Sequence, residues 1–260
     1  MKIGIVGFGF VGKAVYHALN GDAQTLIVDP AHTNESIDNM NAWEPDAVFI
    51  CVPTPCKPDG SVDGSILKSV LDALDPQILK IVKSTITPDW LENYHHVVFN
   101  PEFLTQRTAN EDFLHPDFLI FGADEKLDAR EAFQIFRDHT TVEIPVALFI
   151  TDIKSACLVK YALNCHYASK VIFMNEISAL HNKIEAGTTW NQFAEMLSAD
   201  SRLGRSHLDV PGPDGYWGYG GACFPKDTNA LWAFAADRDI SLDVLKAAMD
   251  KNAIIRDEPE

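Results

Sequence analysis

The chain has 260 residues, of which 47% are hydrophobic and 22% are charged, a composition typical of a globular protein of one or two domains. Its 21 lysines and arginines against 37 aspartates and glutamates give a formal net charge of −16, and such a field repels nucleic acids and anionic membranes. The apolar runs are far shorter than the roughly 20 residues of a membrane span, and the N-terminal residues show no small-residue cleavage site, so we expect a soluble, cytoplasmic protein.

Short apolar runs alternate with amphipathic stretches through the first half of the chain, a pattern typical of βαβ units around a parallel sheet. Strands are predicted over residues 2–6, 25–28, 47–52, 79–83, 96–99 and 118–121. Helices are predicted between them over residues 11–20, 66–74 and 126–139. The predicted fold class is therefore α/β, with a Rossmann-like, mostly parallel sheet that carries helices on both faces.

The pattern changes at about residue 151 to one long helical run over residues 152–186, which Gly187 is expected to end. A loop rich in glycine and proline is predicted over residues 206–221. Shorter helices are predicted over residues 190–198, 228–236 and 242–252.

This change of pattern predicts a domain boundary. Residues 1–151 are expected to form the Rossmann domain, and residues 152–260 are expected to form a small, all-helical domain that begins with the long helix. A helix of this length must be buried against the first domain or against a second copy of the chain, so a homodimer through the long helix is expected.

A glycine pattern follows the first predicted strand and opens the first predicted helix, whose N-terminus favours negative charge. Gly7 permits a tight turn, Gly9 lets a pyrophosphate approach the backbone, and Gly12 lets the helix pack closely on the strand. Asp29 ends the second strand, where a carboxylate can bind a ribose diol and repel a 2′-phosphate, so the predicted cofactor is NAD rather than NADP. The predicted cofactor-binding residues here are Gly7, Phe8, Gly9, Phe10, Val11, Gly12 and Asp29.

A second candidate group lies on the long helix, where Lys160 and Asn164 are four residues apart and so project from one face. Such a pair is more often part of a solvated face. Here the neighbouring residues are apolar or small, which predicts a largely buried helix. An ammonium and an amide directed at one oxygen stabilise the charge that develops when an alcohol is oxidised or a carbonyl is attacked.

The third candidate group is the run GGACFPKD, from Gly220 to Asp227. A cysteine just before a helix N-terminus and close to Lys226 lies in positive potential that favours its thiolate, so Cys223 is a candidate nucleophile. A single cysteine is more often a small buried hydrophobic residue, but the flanking glycines favour a chemical role. The cysteines show neither CxxC pairs nor zinc-finger spacing, so no disulfide framework and no metal are expected. We assign to packing Cys51, Cys56, Cys157 and Cys165.

Together these groups resemble the UDP-glucose/GDP-mannose dehydrogenase family, whose members use NAD to oxidise the primary alcohol of a nucleotide sugar to a carboxylate. The resemblance is spread in ordered blocks along the chain. Besides the glycine turn, the blocks are Val52-Pro53-Thr54-Pro55 with Asp59-Gly60-Ser61, Lys83-Ser84-Thr85, Asn100-Pro101-Glu102-Phe103-Leu104, Pro116-Asp117, Lys160 and Asn164 with Asn175-Glu176, and Gly218-Tyr219-Gly220-Gly221 continuing to Asp227.

The resemblance implies a four-electron oxidation in two steps. Lys160, Asn164 and Asp227 would act with a water on the reacting oxygen, and Cys223 would capture the aldehyde as a thiohemiacetal that is then oxidised to a thioester. Glu102 and Thr85 would position the water that hydrolyses this thioester. The implied substrate is a nucleotide sugar of the UDP-glucose type. The resemblance also assigns to the cofactor Val52, Pro53, Thr54 and Thr85, and to the substrate Phe103, Leu104, Lys160, Asn164, Tyr219 and Gly220.

Two departures from the family pattern leave alternatives open. Gln106 and Arg107 stand where the family usually has Glu and Gly, so one auxiliary carboxylate is missing. Only 37 residues follow Cys223, which leaves no room for the family's third, C-terminal domain that holds much of the nucleotide. The alternatives are a two-electron β-hydroxyacid-type dehydrogenase, which has no use for Cys223, and a truncated NAD-binding regulatory subunit without turnover.

Overall fold

The computed structural model describes residues 1–105 and 107–257, and the chain packs as two compact units. The first unit consists of Met1–Pro55 and Val62–Lys160. The second unit consists of Cys56–Ser61 together with the residues from Tyr161 onward. The units therefore divide within the long helix at residue 160, a few residues beyond the boundary that we place at residues 151 and 152.

The first unit is built on one sheet. Its strands are β1 (Lys2–Val6), β2 (Gln24–Val28), β3 (Ala47–Ile50), β4 (Leu79–Val82), β5 (Val97–Phe99), β6 (Phe118–Gly122) and β7 (Ala147–Thr151). They lie in the order β2-β1-β3-β4-β5-β6-β7, and only β5 and β6 are antiparallel neighbours among the described residues. The predicted α/β fold class is confirmed. The strand order reverses at β1, and in such sheets ligands bind at the carboxyl edge beside this reversal.

Helices cover both faces of the sheet, because alternate residues of a strand point to opposite faces. Ile3 and Ile5 of β1 pack in the main hydrophobic core with residues of the first and fifth helices. Gly4, between them, faces the other side, where an added side chain would collide with Met40 of the second helix. The helices of this unit are α1 (Phe10–Ala18), α2 (Ile37–Trp43), α3 (Ser65–Ala73), α4 (Ala109–Leu114) and α5 (Lys126–His139).

One strand and two α-helices of the first unit are absent from the sequence-based prediction. Within the described parts of the chain, strand β7 pairs only with β6, at the sheet edge, and Phe149 remains 54% exposed. Its apolar run therefore lacks the buried pattern of the inner strands. Helices α2 and α4 have 7 and 6 residues, which is too short to establish a helical period. The N-cap Ser36, which accepts a hydrogen bond from the backbone of Asn39, is a local signal for the start of α2.

The second unit contains most of α6 and three shorter helices. These elements are α6 (Ile153–Lys183), α7 (Trp190–Ser198), α8 (Phe224–Ala236) and α9 (Asp243–Asp257). Ala168 and Ile172 of α6 pack with Tyr219 and Ala248 in a small core. Helix α8 begins at Phe224 rather than at residue 228, because proline is well tolerated in the first turn of a helix and Pro225 occupies that position.

Helix α6 is less buried than its sequence suggests. Phe173 is 56% exposed, Leu180 is 55% exposed, and Ile184, just beyond its last turn, is 66% exposed. The opposite face is buried. Because the face with Phe173 and Leu180 is exposed, the expectation of a largely buried helix is wrong. Of the helices in the described parts of the chain, none is long and apolar enough to cross a membrane.

Candidate active site

The glycine turn at the end of β1 uses each glycine for a different reason. Gly7 has a φ of +90°, and an added side chain would collide with the backbone of Cys51. A side chain at Gly12 would lie 2.1 Å from the carbonyl oxygen of Gly7, so α1 can approach this closely only with glycine there. Gly9 has open space around it and is the N-cap of α1. The turn therefore offers an accessible backbone and a helix N-terminus to an anionic group.

Asp29 connects this turn to the end of β2. Its carboxylate accepts hydrogen bonds of 2.6 Å from the backbone nitrogen of Phe8 and 2.8 Å from that of Ala31, and His32 lies 2.9 Å away. Burial alone would raise the pKa of Asp29, but the hydrogen bonds from His32, Phe8 and Ala31 outweigh it and lower the pKa. The carboxylate is therefore ionised and held beside the glycine turn, as the binding of a ribose diol requires. Phe10 and Val11, in the first turn of α1, are both half-buried.

The segments that follow β3 and β4 are bonded to each other. The hydroxyl of Thr54 donates a 2.7 Å hydrogen bond to the carbonyl of Thr85, and the hydroxyl of Ser84 donates one of 2.7 Å to the carbonyl of Val52. Pro53, between the two bonded positions, is exposed. The predicted cofactor residues from four strands thus all lie at the carboxyl edge of the sheet.

A buried ion pair joins the segment after β5 to the start of α6. Lys160, 3% exposed, donates hydrogen bonds of 2.5 Å to the carbonyl and 3.1 Å to the carboxylate of Glu102, which is 7% exposed. The other carboxylate oxygen of Glu102 accepts a 2.7 Å hydrogen bond from the backbone nitrogen of Leu104, and the ring of Phe103 lies 5.2 Å from the ammonium. Both buried charges are paired and hydrogen-bonded, which is the arrangement a buried ion pair needs.

A second buried group lies in the other unit, around Asp227. The side-chain amide of Asn164 donates a 2.6 Å hydrogen bond to the carboxylate of Asp227, and the ammonium of Lys226 lies 2.5 Å from its other oxygen. Asp227 is 1% exposed and lies in the first turn of α8, where the helix dipole stabilises a negative charge. Its backbone nitrogen bonds to the carbonyl of Cys223, so the acid lies one helical turn beyond the thiol.

Cys223 is the N-cap residue of α8 and is partly exposed. The loop that leads to it contains Tyr219, which is buried, and Gly220, which is half-buried. Asn252 of α9 bonds both backbone groups of Tyr219, at 2.7 Å and 3.2 Å. The side-chain oxygen of Asn175 accepts a 3.0 Å hydrogen bond from the backbone nitrogen of Gly218. The thiol therefore follows a loop that side chains of α6 and α9 hold in place.

Arg256, which the sequence analysis missed, also stabilises this loop. Its guanidinium lies 2.8 Å from the carboxylate of Asp214 and donates to the carbonyl of Trp217 at 3.3 Å. A side chain at Gly220 would lie 2.4 Å from the same guanidinium. The glycines of the loop are the signal that points to such a close neighbour.

The predicted site residues thus form two groups. Glu102 with Lys160 belongs to the first unit, and Asn164 with Asp227 and Cys223 belongs to the second unit. The idea that these groups and the cofactor act on one carbon remains a prediction. Gln106, which bears on the missing carboxylate, lies outside the described residues.

Two domain models of one enzyme family match this chain. Residues 32–140 match the NAD binding domain of the UDP-glucose/GDP-mannose dehydrogenase family, and residues 154–253 match its central domain. A UDP-glucose 6-dehydrogenase from Rickettsia felis is 34% identical over 236 residues, which cover 84% of this chain and 50% of that protein. The chain spans about half the length of the first curated relatives that it matches.

Two further relatives match almost the whole chain. The UDP-glucose 6-dehydrogenase AglM of Haloferax volcanii is 30% identical over 309 aligned positions, covering 97% of this chain and 69% of that protein. The structure of a UDP-glucose dehydrogenase from Pyrobaculum islandicum superposes with a TM-score of 0.81 at 27% identity, covering 97% of this chain and 68% of that one. These matches extend over both units.

Proposed function

Because the chain belongs to the UDP-glucose/GDP-mannose dehydrogenase family, we propose that it is an NAD-dependent nucleotide-sugar 6-dehydrogenase. Its substrate would be of the UDP-glucose type, and the primary alcohol at C6 would be oxidised to a carboxylate. The observation that carries the proposal is the buried group of Asn164 and Asp227 one helical turn beyond Cys223. An acid, an amide and a thiol in one place suit the oxidation of an alcohol followed by capture of the aldehyde.

The residues of the first unit fit NAD. Asp29 is ionised and held beside a glycine turn whose Gly9 is open, so a ribose diol and a pyrophosphate would each find a partner. The segments with Val52, Thr54 and Thr85 continue the same edge of the sheet. NAD, when bound, takes up a hydride in each of the two oxidations.

In the first oxidation, the alcohol at C6 becomes an aldehyde. Its hydroxyl proton would leave through a water held by Asp227, and the amide of Asn164 and the ammonium of Lys160 would stabilise the alkoxide. Lys226 and Asn164 contact the carboxylate of Asp227 and fix its position. A fixed carboxylate is suited to bind the water that would accept the proton. Phe103, Leu104, Tyr219 and Gly220 would hold the sugar.

In the second stage, the thiol of Cys223 adds to the aldehyde carbon. A carbon–sulfur bond forms, the carbonyl oxygen takes up a proton, and the resulting thiohemiacetal is oxidised to a thioester. A water positioned by Glu102 and Thr85 then attacks the thioester carbon, the carbon–sulfur bond breaks, and the thiol is restored. Glu102 is suited to orient this water, because Lys160 and the backbone of Leu104 hold its carboxylate.

The experiment is incubation of the protein with NAD and a panel of UDP- and GDP-hexoses, with reduced nicotinamide followed by absorbance. Two NADH per sugar acid are expected. Cys223→Ser should form no acid, whereas the matched variant Cys56→Ser should keep the wild-type yield. One NADH per hydroxy acid, with nucleotide sugars rejected, would instead identify a β-hydroxyacid-type enzyme. Binding of NAD without turnover would identify a regulatory subunit.

The chain is also proposed to form a homodimer through α6. Phe173, Ile177, Leu180 and Ile184 are spaced as one stripe at helical period, and three of the four are more than half exposed. Exposed apolar stripes of this kind mark protein–protein contacts. Sedimentation should give a dimer for the wild type and a monomer for Phe173→Asp. The control Leu127→Asp, at a 71% exposed leucine of α5, should remain a dimer; a monomeric wild type would contradict the proposal.

A further inference from the structure

Lys83 is a buried lysine that the proposed mechanism does not use. It follows β4 directly and is 3% exposed. Its ammonium donates hydrogen bonds of 2.6 Å to the side-chain oxygen and 3.1 Å to the backbone carbonyl of Asn100, which follows β5. Both of its bonds therefore go to one residue, two positions before Glu102.

Asn100 in turn forms a hydrogen bond to the next strand. It is fully buried, and its side-chain nitrogen donates a 2.7 Å hydrogen bond to the carbonyl of Ile120 in β6. The ladder between β5 and β6 has only one registered pair, Phe99 with Gly122. The bonds of Lys83 and Asn100 thus span three neighbouring strands at the place where the backbone ladder is shortest.

The surroundings of Lys83 disfavour the charged form of its side chain. The rings of Phe113 and Phe136 lie 5.0 Å and 5.6 Å from its ammonium. Burial lowers the pKa of Lys83 to about 8, although the charge of Glu102 acts to raise it; Lys160 lowers it further. A protein with an apolar residue of similar size in place of a buried charge is often equally stable. Stability alone therefore does not explain a lysine here, whereas its hydrogen bonds to Asn100 do.

We propose that Lys83 is a positioning residue: by holding Asn100 it fixes the turn Asn100-Pro101-Glu102 and places the Glu102 carboxylate for hydrolysis of the thioester. This inference rests on the proposed function. The ionisable groups that face Lys83 are Cys51 at the end of β3, Glu102 after β5 and Lys160 of α6. Of these, Glu102 is the group whose place depends directly on Asn100, since only Pro101 separates them.

The role predicts which step slows when Lys83 is replaced. Lys83→Met keeps an unbranched side chain that is one atom shorter, and it removes the charge and the donors. Both oxidations should still occur once, so rapid mixing with NAD and UDP-glucose should give a burst of two NADH per active site. Hydrolysis should then limit turnover, with a steady-state rate lower by about 100-fold, as expected for a misplaced catalytic group. Intact-mass measurement should detect the acyl group on Cys223.

Lys80→Met is the matched control, because Lys80 is also buried on β4 but donates to the carbonyls of Pro76 and Ile78. It should turn over at the wild-type rate without a burst. Lys83→Arg keeps the charge and should recover part of the hydrolysis, and it serves as the second variant if Lys83→Met does not fold.

Three results separate the possibilities. Wild-type steady-state turnover in Lys83→Met, or an equal loss of the burst and of turnover in a folded variant, would overturn the role of Lys83. The same holds if Lys83→Arg, tested as the folded substitute, neither retains turnover nor accumulates the acyl-enzyme. Absence of NADH formation by the wild type with every nucleotide sugar would reject the proposed function itself.

Discussion

Asn164 of α6 donates a 2.6 Å hydrogen bond to the carboxylate of Asp227 in the first turn of α8, although the two residues are 63 positions apart in the chain. The carboxylate therefore has an amide on one oxygen and the ammonium of Lys226 on the other. A buried carboxylate needs partners of this kind, because a buried charge without them is costly. The carboxylate charge of Asp227 is therefore the property to test.

Asp227→Asn removes this charge while the side chain keeps its size and one acceptor. The rate of NADH formation should fall by about 100-fold or more, the range typical of a lost acid–base group, with the fold retained. Asp237→Asn, an exposed acid at the other end of α8, should leave the rate unchanged. Near wild-type activity in Asp227→Asn would contradict the proposed role.

Asp29→Asn tests the choice of cofactor. The neutral side chain loses charged hydrogen bonding to a ribose diol and no longer repels a 2′-phosphate, so the Kd for NAD should rise about tenfold and the preference over NADP should shrink. Calorimetric titration with both cofactors measures this. Asp22→Asn, on the exposed turn before β2, should bind as the wild type does. Unchanged discrimination in Asp29→Asn would assign the selectivity to another residue.

Arg256→Met tests the support of the loop before Cys223. Without the guanidinium, Asp214 and the carbonyl of Trp217 lose a partner, and the loop that should hold the sugar becomes less ordered. The KM for the nucleotide sugar should rise about tenfold, the size of one lost charged hydrogen bond, while NAD affinity stays the same. Arg238→Met, exposed at the end of α8, is the control. Equal loss of affinity for both ligands would indicate general unfolding instead.

The pKa of Lys83 predicts a pH dependence of stability. Its pKa is about 8 in the folded protein against an ordinary 10.5. Between these values the unfolded chain binds more protons than the folded protein, so this group makes folding more favourable as pH rises, by at most about 1.4 kcal/mol per pH unit. Urea unfolding of the wild type and of Lys83→Met at pH 7 to 10 measures the difference. A difference in the free energy of unfolding that does not change with pH would refute the prediction.

The sequence predicts the parts of the site that depend on local pattern. The roles of Gly7, Gly9 and Gly12 follow from their spacing after a strand, and the structure gives each the backbone geometry that its role needs. The spacing of Lys160 and Asn164 predicts one helix face. It does not reveal that one pairs with Glu102 and the other with Asp227, because these partners come from elements far away in the chain.

The same limit applies to the fold. The inner strands are buried apolar runs, which a sequence reveals directly. Strand β7 is an edge strand with exposed Phe149 and Ile150, so its assignment depends on pairing with β6 rather than on its own pattern. Arg256 likewise contacts Gly220 from a distant segment of the chain. A single sequence contains no local pattern that predicts such a contact.

The assignment of Cys56–Ser61 to the second unit has a consequence for how the protein can be divided. In that unit Gly60 lies against Asn229 of α8, so a fragment that starts at residue 161 would lack a piece of its own packing. The polypeptide passes from the first unit to the second and back before it enters α6. Neither half is a continuous stretch of chain, and cutting at a single peptide bond cannot release either one whole.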